Sequence, residues 1–358
     1  MLKKSFIVLP IVFFIFGLAI LFAGTAVKPA PVTVLFVGDV CFDWGVKDVI
    51  ATGFYPFAHV DSFIEKATIS IFNLETCIST NGEKVEKTYN FRCPPGVLKY
   101  ITNSGFDIAT LGNNHTMDYG PIALADTLDN LKMYHLKYTG AGKNLAQAVV
   151  PVIIVTNGVT VGTLSFGYMN PPTLKAAENK PGVAPIDTKL MTAEVKKLRP
   201  KVDFLIVAIH WGNEYVDYPN DAQKKMGHSL IDAGADLVIG HHPHILQGIE
   251  KYKNGVIFYS VGNFMFPQTD NVHLRATLIG MADLFITQTK NKKTVLPVYS
   301  FIPIWRNSVT YDPEFPGKAT NDSILSHIQK ISMPLNPKMF TLKKDELHGV
   351  TRYIIEWK

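Results

Sequence analysis

The chain has 358 residues, 47% hydrophobic and 18% charged, with a net charge of +5. That length buries a real core, and the composition excludes a disordered or low-complexity chain. Its positive charges, Lys143, Lys189, Lys196, Lys197 and Lys201 among them, are scattered over segments that read as solvated faces, with no basic stripe interleaved with aromatics, so nucleic acid is excluded as a partner.

Lys3 and Lys4 precede an uncharged run from Phe6 to Val27, 22 residues that suffice to cross a bilayer with some tilt. The positive flank keeps the short N-terminus cytoplasmic and sends everything after Val27 outside. Residues 1–27 therefore read as one N-terminal transmembrane helix, and the chain as a single-pass protein of the cell membrane with an extracytoplasmic C-terminal domain. Gly24-Thr25-Ala26 also offers a cleavage site, so a removed signal peptide stays the alternative, although the run is longer than a signal core. Residues 28–31, Lys-Pro-Ala-Pro, read as a stiff linker.

From Val32 onward, short runs rich in Val, Ile and Phe alternate with helical stretches, the pattern of a buried sheet with helices on its faces, so the fold class is α/β. Each run stops at a polar cluster. Val32–Val37 ends in Gly38-Asp39, Thr68–Phe72 in Asn73-Leu74-Glu75, and Phe106–Leu111 in Gly112-Asn113-Asn114-His115. Val149–Val155 and Val161–Phe166 form a predicted hairpin around Asn157-Gly158. Phe204–Ile209 precedes His210-Trp211-Gly212, Leu237–Ile239 precedes Gly240-His241-His242-Pro243-His244, and Val256–Ser260 precedes Gly262-Asn263-Phe264. Between them, Pro121 opens a helix with Leu124, Leu128 and Leu131 on one face. Asn220 and Gln223 make a predicted capping box, with Gly234 as the stop. Past residue 290 the pattern weakens. Val295–Ile304 reads as a strand region, Tyr311–Asn321 as loop, Ile324–Ile331 as a helix and Tyr353–Trp357 as a last strand. The predicted domain therefore covers residues 32–290, with residues 291–358 as an extension packing on or beside it.

Three cysteines, Cys41, Cys77 and Cys93, leave at least one thiol unpaired outside the cytoplasm. Buried free thiols are the default, and a Cys77–Cys93 bridge remains open.

In open α/β sheets ligands collect at the carboxyl ends of the strands, so the polar clusters should converge. They offer Asp39, Glu75, Asn114, His115, His210, His242, His244 and Asn263, a mixed oxygen and nitrogen set that suits Zn, Mn or Fe better than Ca or Mg. Each residue also has an ordinary reading: an Asp after a strand caps turns, and His pairs are often structural. His242 and His244 carry more weight, because alternate residues of an extended segment face the same way and Pro243 favours extension. The conjunction of all of them points to one site.

The stretches GDV at Gly38–Val40, NLE at Asn73–Glu75, LGNNHTMDYG at Leu111–Gly120, HWGNEY at His210–Tyr215, GADLVIGHHPH at Gly234–His244 and YSVGNF at Tyr259–Phe264 together resemble the capsule-synthesis protein family of the CapA type, in the family's order. That family is similar in turn to calcineurin-like metallophosphoesterases. The resemblance implies a metallophosphatase-like four-layered α/β/β/α sandwich holding up to two divalent transition metal ions, Mn, Zn or Fe. It makes Asp39 a ligand of the first ion and Glu75 the bridging carboxylate. Asn114 and His210 would hold the second ion, while His242 and His244 would complete the second and first respectively. His115 would be the proton donor to the leaving group, in a metal-assisted hydrolysis.

The sequence departs from the phosphoesterase pattern at Cys41, where that pattern has His, and at Glu75, where it has Asp. Trp211 and Glu214 are additions, expected at a rim suited to a substrate of amide or glutamyl character, with packing as the ordinary reading of Trp211; Asn263 is a further rim candidate. The resemblance implies a role in the biosynthesis or export of capsular poly-γ-glutamate or a similar surface polymer, beside membrane-embedded synthase subunits and in contact with the polymer or its precursor. A cell-surface metal-dependent hydrolase of phosphoesters or amides, and a polymer-binding module without catalysis, are the alternatives.

Overall fold

The computed structural model describes residues 31–358 except 170, 269–270, 290–291, 337 and 339. The anchor expected at residues 1–27, and all but the last residue of the linker, lie outside the described residues. Among the described residues no helix is long and apolar enough to cross a membrane.

Among the described residues the strands form two large sheets. The first runs, in spatial order, Thr341–Leu347, Val350–Glu356, Lys292–Arg306, Ala276–Thr289, Val32–Val40, Ile69–Leu74, Ile108–Thr110 and Lys137–Thr139. Its last four strands are mutually parallel, and the rest are antiparallel. The second runs Ile249–Tyr252, Gly255–Phe258, Leu237–His241, Phe204–His210, Val159–Gly167 and Val152–Thr156, parallel in its four central strands.

Period-two alternation sorts the side chains of the central strands into layers. Val34 and Phe36 join Phe204, Ile206, Leu237 and Ile239 in a core between the two sheets. Leu35 and Val37 face the other way, into a core shared with Leu98 and Ile101 of one helix and Leu124, Leu128 and Leu131 of helix Gly120–Met133. Leu205, Val207 and Val238 leave the second sheet on its outer side, toward Met191 and Val195 of helix Thr188–Leu198 and Leu230 of helix Asp221–Ala233. Burial on both faces is why these strands read as unbroken apolar runs. Each fully buried large side chain contributes about 1.5–3 kcal/mol relative to exposure.

Local signals behave as the chemistry dictates. Asn157 (φ 45°) and Gly158 (φ 77°) turn the hairpin between Val152–Thr156 and Val159–Gly167. Asn220 and Gln223 form a complete capping box, and Gly234 ends that helix with φ 116°.

Two expectations need correction. The boundary at residue 290 falls within one hairpin, because Ala276–Thr289 pairs with Lys292–Arg306 along its whole length. Residues beyond it add strands to the first sheet, and Pro31–Lys358 forms one compact unit. The supposed loop Tyr311–Asn321 contains the short strand Pro313–Glu314 and the start of helix Lys318–Ser332. The run Val256–Ser260 leads out of the second sheet. Gly262 (φ 73°) then delivers Asn263–Met265 to the first sheet, parallel to Val32–Val40. A Cβ at Gly38 would lie 1.8 Å from Gly262 O, so this approach requires glycine at 38.

Candidate metal centre

The parallel strands of both sheets bring their polar C-terminal ends together. Asp39 stands near the end of strand Val32–Val40, Glu75 follows Ile69–Leu74, and Asn114 and His115 follow Ile108–Thr110. From the second sheet come His210, the last residue of its strand, and His242 and His244, just beyond Leu237–His241. All except Asn114 are buried.

Asn73 Nδ2 donates to Asp39 Oδ1 (2.8 Å) and lies 3.4 Å from His210 Nδ1. His242 N–H donates to Asp39 Oδ2 (3.3 Å), which lies 3.7 Å from His244 Nδ1. His210 Nε2 and His115 Nε2 approach Glu75 Oε1 to 3.5 and 3.8 Å. His244 Nδ1 meets Asn263 Oδ1 at 2.9 Å; an amide oxygen only accepts, so Nδ1 carries the proton and Nε2 the lone pair.

The segment holding the two imidazoles is not extended, contrary to the expectation from Pro243. His242 has φ 95° and His244 φ 61°. Two left-handed bends, rather than strand alternation, bring the rings to 6.0 Å between centroids. Such conformations cost of order 1–3 kcal/mol each in non-glycine residues and concentrate at functional sites. His241 points elsewhere, with Nε2 3.3 Å from Val37 O.

Electrostatics mark the same place. Burial raises Asp39 to about 7, against the hydrogen bond from Asn73. Burial raises Glu75 well above the carboxylate range, and the Asp39 charge beside it adds to this. Burial lowers His242 to about 4 and His244 to about 3, and it lowers His210 well below its ordinary value with help from the surrounding imidazoles. The site thus holds carboxylates that burial pushes toward their protonated form and imidazoles kept neutral, as imidazole ligands must be.

Fit to a cation can be judged from unsatisfied atoms. Both Glu75 oxygens, Asn114 Oδ1, His210 Nε2 and His242 Nδ1 are buried without a hydrogen-bond partner. Buried polar atoms are ordinarily paired, so a convergent set of orphans fits a ligand that takes lone pairs. Donor atoms of Asp39, Glu75 and His210 lie within 4.8 Å of one another, and so do those of Glu214, His242 and His244.

Sequence reasoning missed several residues here. Asp118, three positions after His115, meets His115 Nδ1 at 2.7 Å, and its other oxygen pairs with the buried ammonium of Lys87. Lys87 also donates to Asn114 O (2.7 Å). Burial lowers the His115 pKa while Asp118 opposes the shift. Asn113 ties Asn73 Oδ1 (3.1 Å) to the backbone N–H of His115 (3.0 Å). The i,i+3 spacing of His115 and Asp118 was the available signal for the dyad; nothing in the sequence distinguishes Lys87 from surface lysines.

Among the expected rim residues, Trp211 is buried and its Nε1–H donates to Tyr259 O (2.9 Å), so it is a packing residue whose edge lines a cleft of about 560 Å³. Asn114, Glu214 and His242 line the same cleft, while Asn263 is buried against His244 instead. Cys41 packs with Phe91 and Phe266, and burial raises its thiol well above the usual value, so it stays protonated. Cys77 and Cys93 are free and buried.

Residues 33–268 match the family described as bacterial capsule synthesis protein PGA_cap, a span that includes every candidate site residue. The chain is 33% identical over 278 residues to the PGA biosynthesis protein CapA of Bacillus subtilis (strain 168), covering 74% of this chain and 73% of that protein. It is 28% identical over 285 residues to a probable polyglutamine synthesis accessory protein of Mycobacterium tuberculosis (strain CDC 1551 / Oshkosh), covering 66% and 74%. Among solved structures, the NAD nucleotidase of Haemophilus influenzae gives a TM-score of 0.44 at 11% identity, covering 85% of this chain and 63% of that one, too distant a likeness to bear on chemistry.

Proposed function

Since the chain belongs to the bacterial capsule synthesis protein family, we propose that it serves the biosynthesis or export of capsular poly-γ-glutamate or a similar surface polymer, as a membrane-anchored, extracytoplasmic protein with a metallophosphatase-like metal site. The observation that carries the metal site is the convergence of orphaned buried donors on the Asp39–Glu75 pair. The layering of helix, sheet, sheet and helix is consistent with the sandwich that site requires. Extracytoplasmic placement rests on Lys3 and Lys4 before the apolar run. The description of the mycobacterial relative as an accessory protein supports a partnership with synthase subunits and contact with the polymer or its precursor.

Asp39, Glu75, Asn114, His210, His242 and His244 would hold divalent Mn, Zn or Fe. When bound, such an ion supplies Lewis-acid polarisation of the bond under attack. Asn73 and Asn263 orient Asp39 and His244. Asp118 holds the proton on His115 Nδ1, leaving Nε2, which faces Glu75, as the atom that takes up and returns a proton. Phe91 and Phe266 wall the rings of His115 and His244 from water.

Deleting the chain from its native cells and restoring either wild type or Asp39→Asn tests this reading, with surface polymer measured as glutamate after acid hydrolysis. The polymer should disappear on deletion and return only with wild type. Undiminished polymer in the deletion strain would refute the role.

A further inference from the structure

We propose that Glu214 is a metal ligand, completing with His242 and His244 a second ion position distinct from that of Asp39, Glu75 and His210. The inference rests on the metal site proposed above and deepens it. The resemblance gives Glu214 no metal and divides His242 and His244 between two ions, whereas the donor atoms group otherwise. Those of Glu214, His242 and His244 all lie within 4.8 Å of one another. Donors at about 2.1 Å from one ion are about 3.4 Å apart when tetrahedral, a difference that small rotations of the Glu and His side chains close.

Glu214 is held at that place by its own loop. Trp211 N–H donates to His241 O (3.0 Å), and Tyr215 N–H donates to Pro243 O (2.9 Å), between the two histidines. The Tyr215 ring stacks on His244 with centroids 5.9 Å apart. Gln247 Nε2 donates to Val216 O (2.7 Å), and Tyr215 adopts φ 62°. The backbone on both sides of Glu214 is therefore fastened to the His-Pro-His segment, while Glu214 lines the cleft beside His242.

A second observation points to a ligand at this spot: His242 is buried, yet its Nδ1 has no hydrogen-bond partner. Charge balance agrees. Asp39 and Glu75 offset the charge of one divalent ion, and a third carboxylate at the histidines favours a second. Asp118 is occupied by Lys87 and His115. Among the described residues, Glu214 is the further acid whose donor atom groups with those of His242 and His244. As the exposed member of its triad, it would make the second ion the one that exchanges with solvent.

The test titrates chelator-stripped full-length chain in detergent with Mn²⁺ by calorimetry, beside elemental analysis and the visible spectrum of the Co²⁺-loaded protein. Wild type should bind two ions. Glu214→Gln should bind one with unchanged affinity and the other at least about 10–100-fold more weakly, with its Co²⁺ spectrum altered. His242→Ala should lose the same ion, and Asp39→Asn the other. An unchanged unfolding midpoint for metal-free Glu214→Gln would confirm that the exposed substitution leaves the fold intact. Two ions at wild-type affinity in Glu214→Gln, or a single ion in wild type, would overturn the inference while sparing the metal site itself. No ion in wild type would overturn both.

Discussion

Asn73 Nδ2 donates to Asp39 Oδ1 at 2.8 Å and lies 3.4 Å from His210 Nδ1, so one amide orients a carboxylate of its own sheet and faces an imidazole of the other. Its own oxygen is held in turn by Thr110 Oγ1 (3.2 Å) and Asn113 Nδ2 (3.1 Å). Asn73→Ala should therefore loosen the metal site without touching a ligand, weakening metal affinity about 10–100-fold. The metal-free protein should lose about 1–3 kcal/mol, because Asp39 is left buried with an unpaired oxygen. Calorimetric titration and denaturant unfolding measure the two effects, and an unchanged affinity would contradict the orienting role.

The His115–Asp118 pair separates proton handling from metal retention. If the site hydrolyses a phosphoester or amide bond, His115→Ala should leave metal content near wild type and slow turnover about 10²–10⁴-fold. Asp118→Asn should reduce the rate as well, because the buried ring loses the partner that fixes its tautomer. Elemental analysis beside rates on model phosphoesters and γ-glutamyl peptides decides the matter. Loss of metal in His115→Ala would make that residue a ligand instead.

Stability should depend on pH in opposite senses with and without metal. In the metal-free chain Asp39, raised to about 7 by burial, favours folding while protonated, and this contribution is lost as pH rises through 7. A cation binds the ionised form, so it must displace that proton, and its affinity should increase with pH through the same range. His242 and His244, lowered to about 4 and about 3, are already neutral there and add no step. The rise in melting temperature on adding Mn²⁺ should therefore be larger at pH 8 than at pH 6. An equal rise at both would show that the carboxylates carry no proton to displace.

Much of the site is legible in the sequence because strand ends are punctuated. Asp39, Glu75, Asn114, His210 and His242 each follow an apolar run closely, and buried parallel strands leave no other place for such residues. Layering is less legible. Periodicity marks a strand as buried on two faces but does not say whether the far face meets a helix or a second sheet, and the sandwich came from the resemblance alone. The long strand Ala276–Thr289 is not legible in the sequence because Thr277, Gly280 and Asp283 interrupt its apolar run; Asp283 is used as a buried partner of Arg352. Positive φ at His242 and His244 is not legible in the sequence, so the alternation expected from Pro243 does not describe how these two rings come together. Lys87 comes from a polar loop, and its ammonium is buried where Asp118 and Asn114 O receive it.

Anomalous diffraction from crystals of Mn²⁺-loaded full-length protein tests the central claim most directly. The account predicts a peak among Asp39, Glu75 and His210, lost in Asp39→Asn crystals. Manganese-loaded wild-type crystals with no peak at these residues would contradict it.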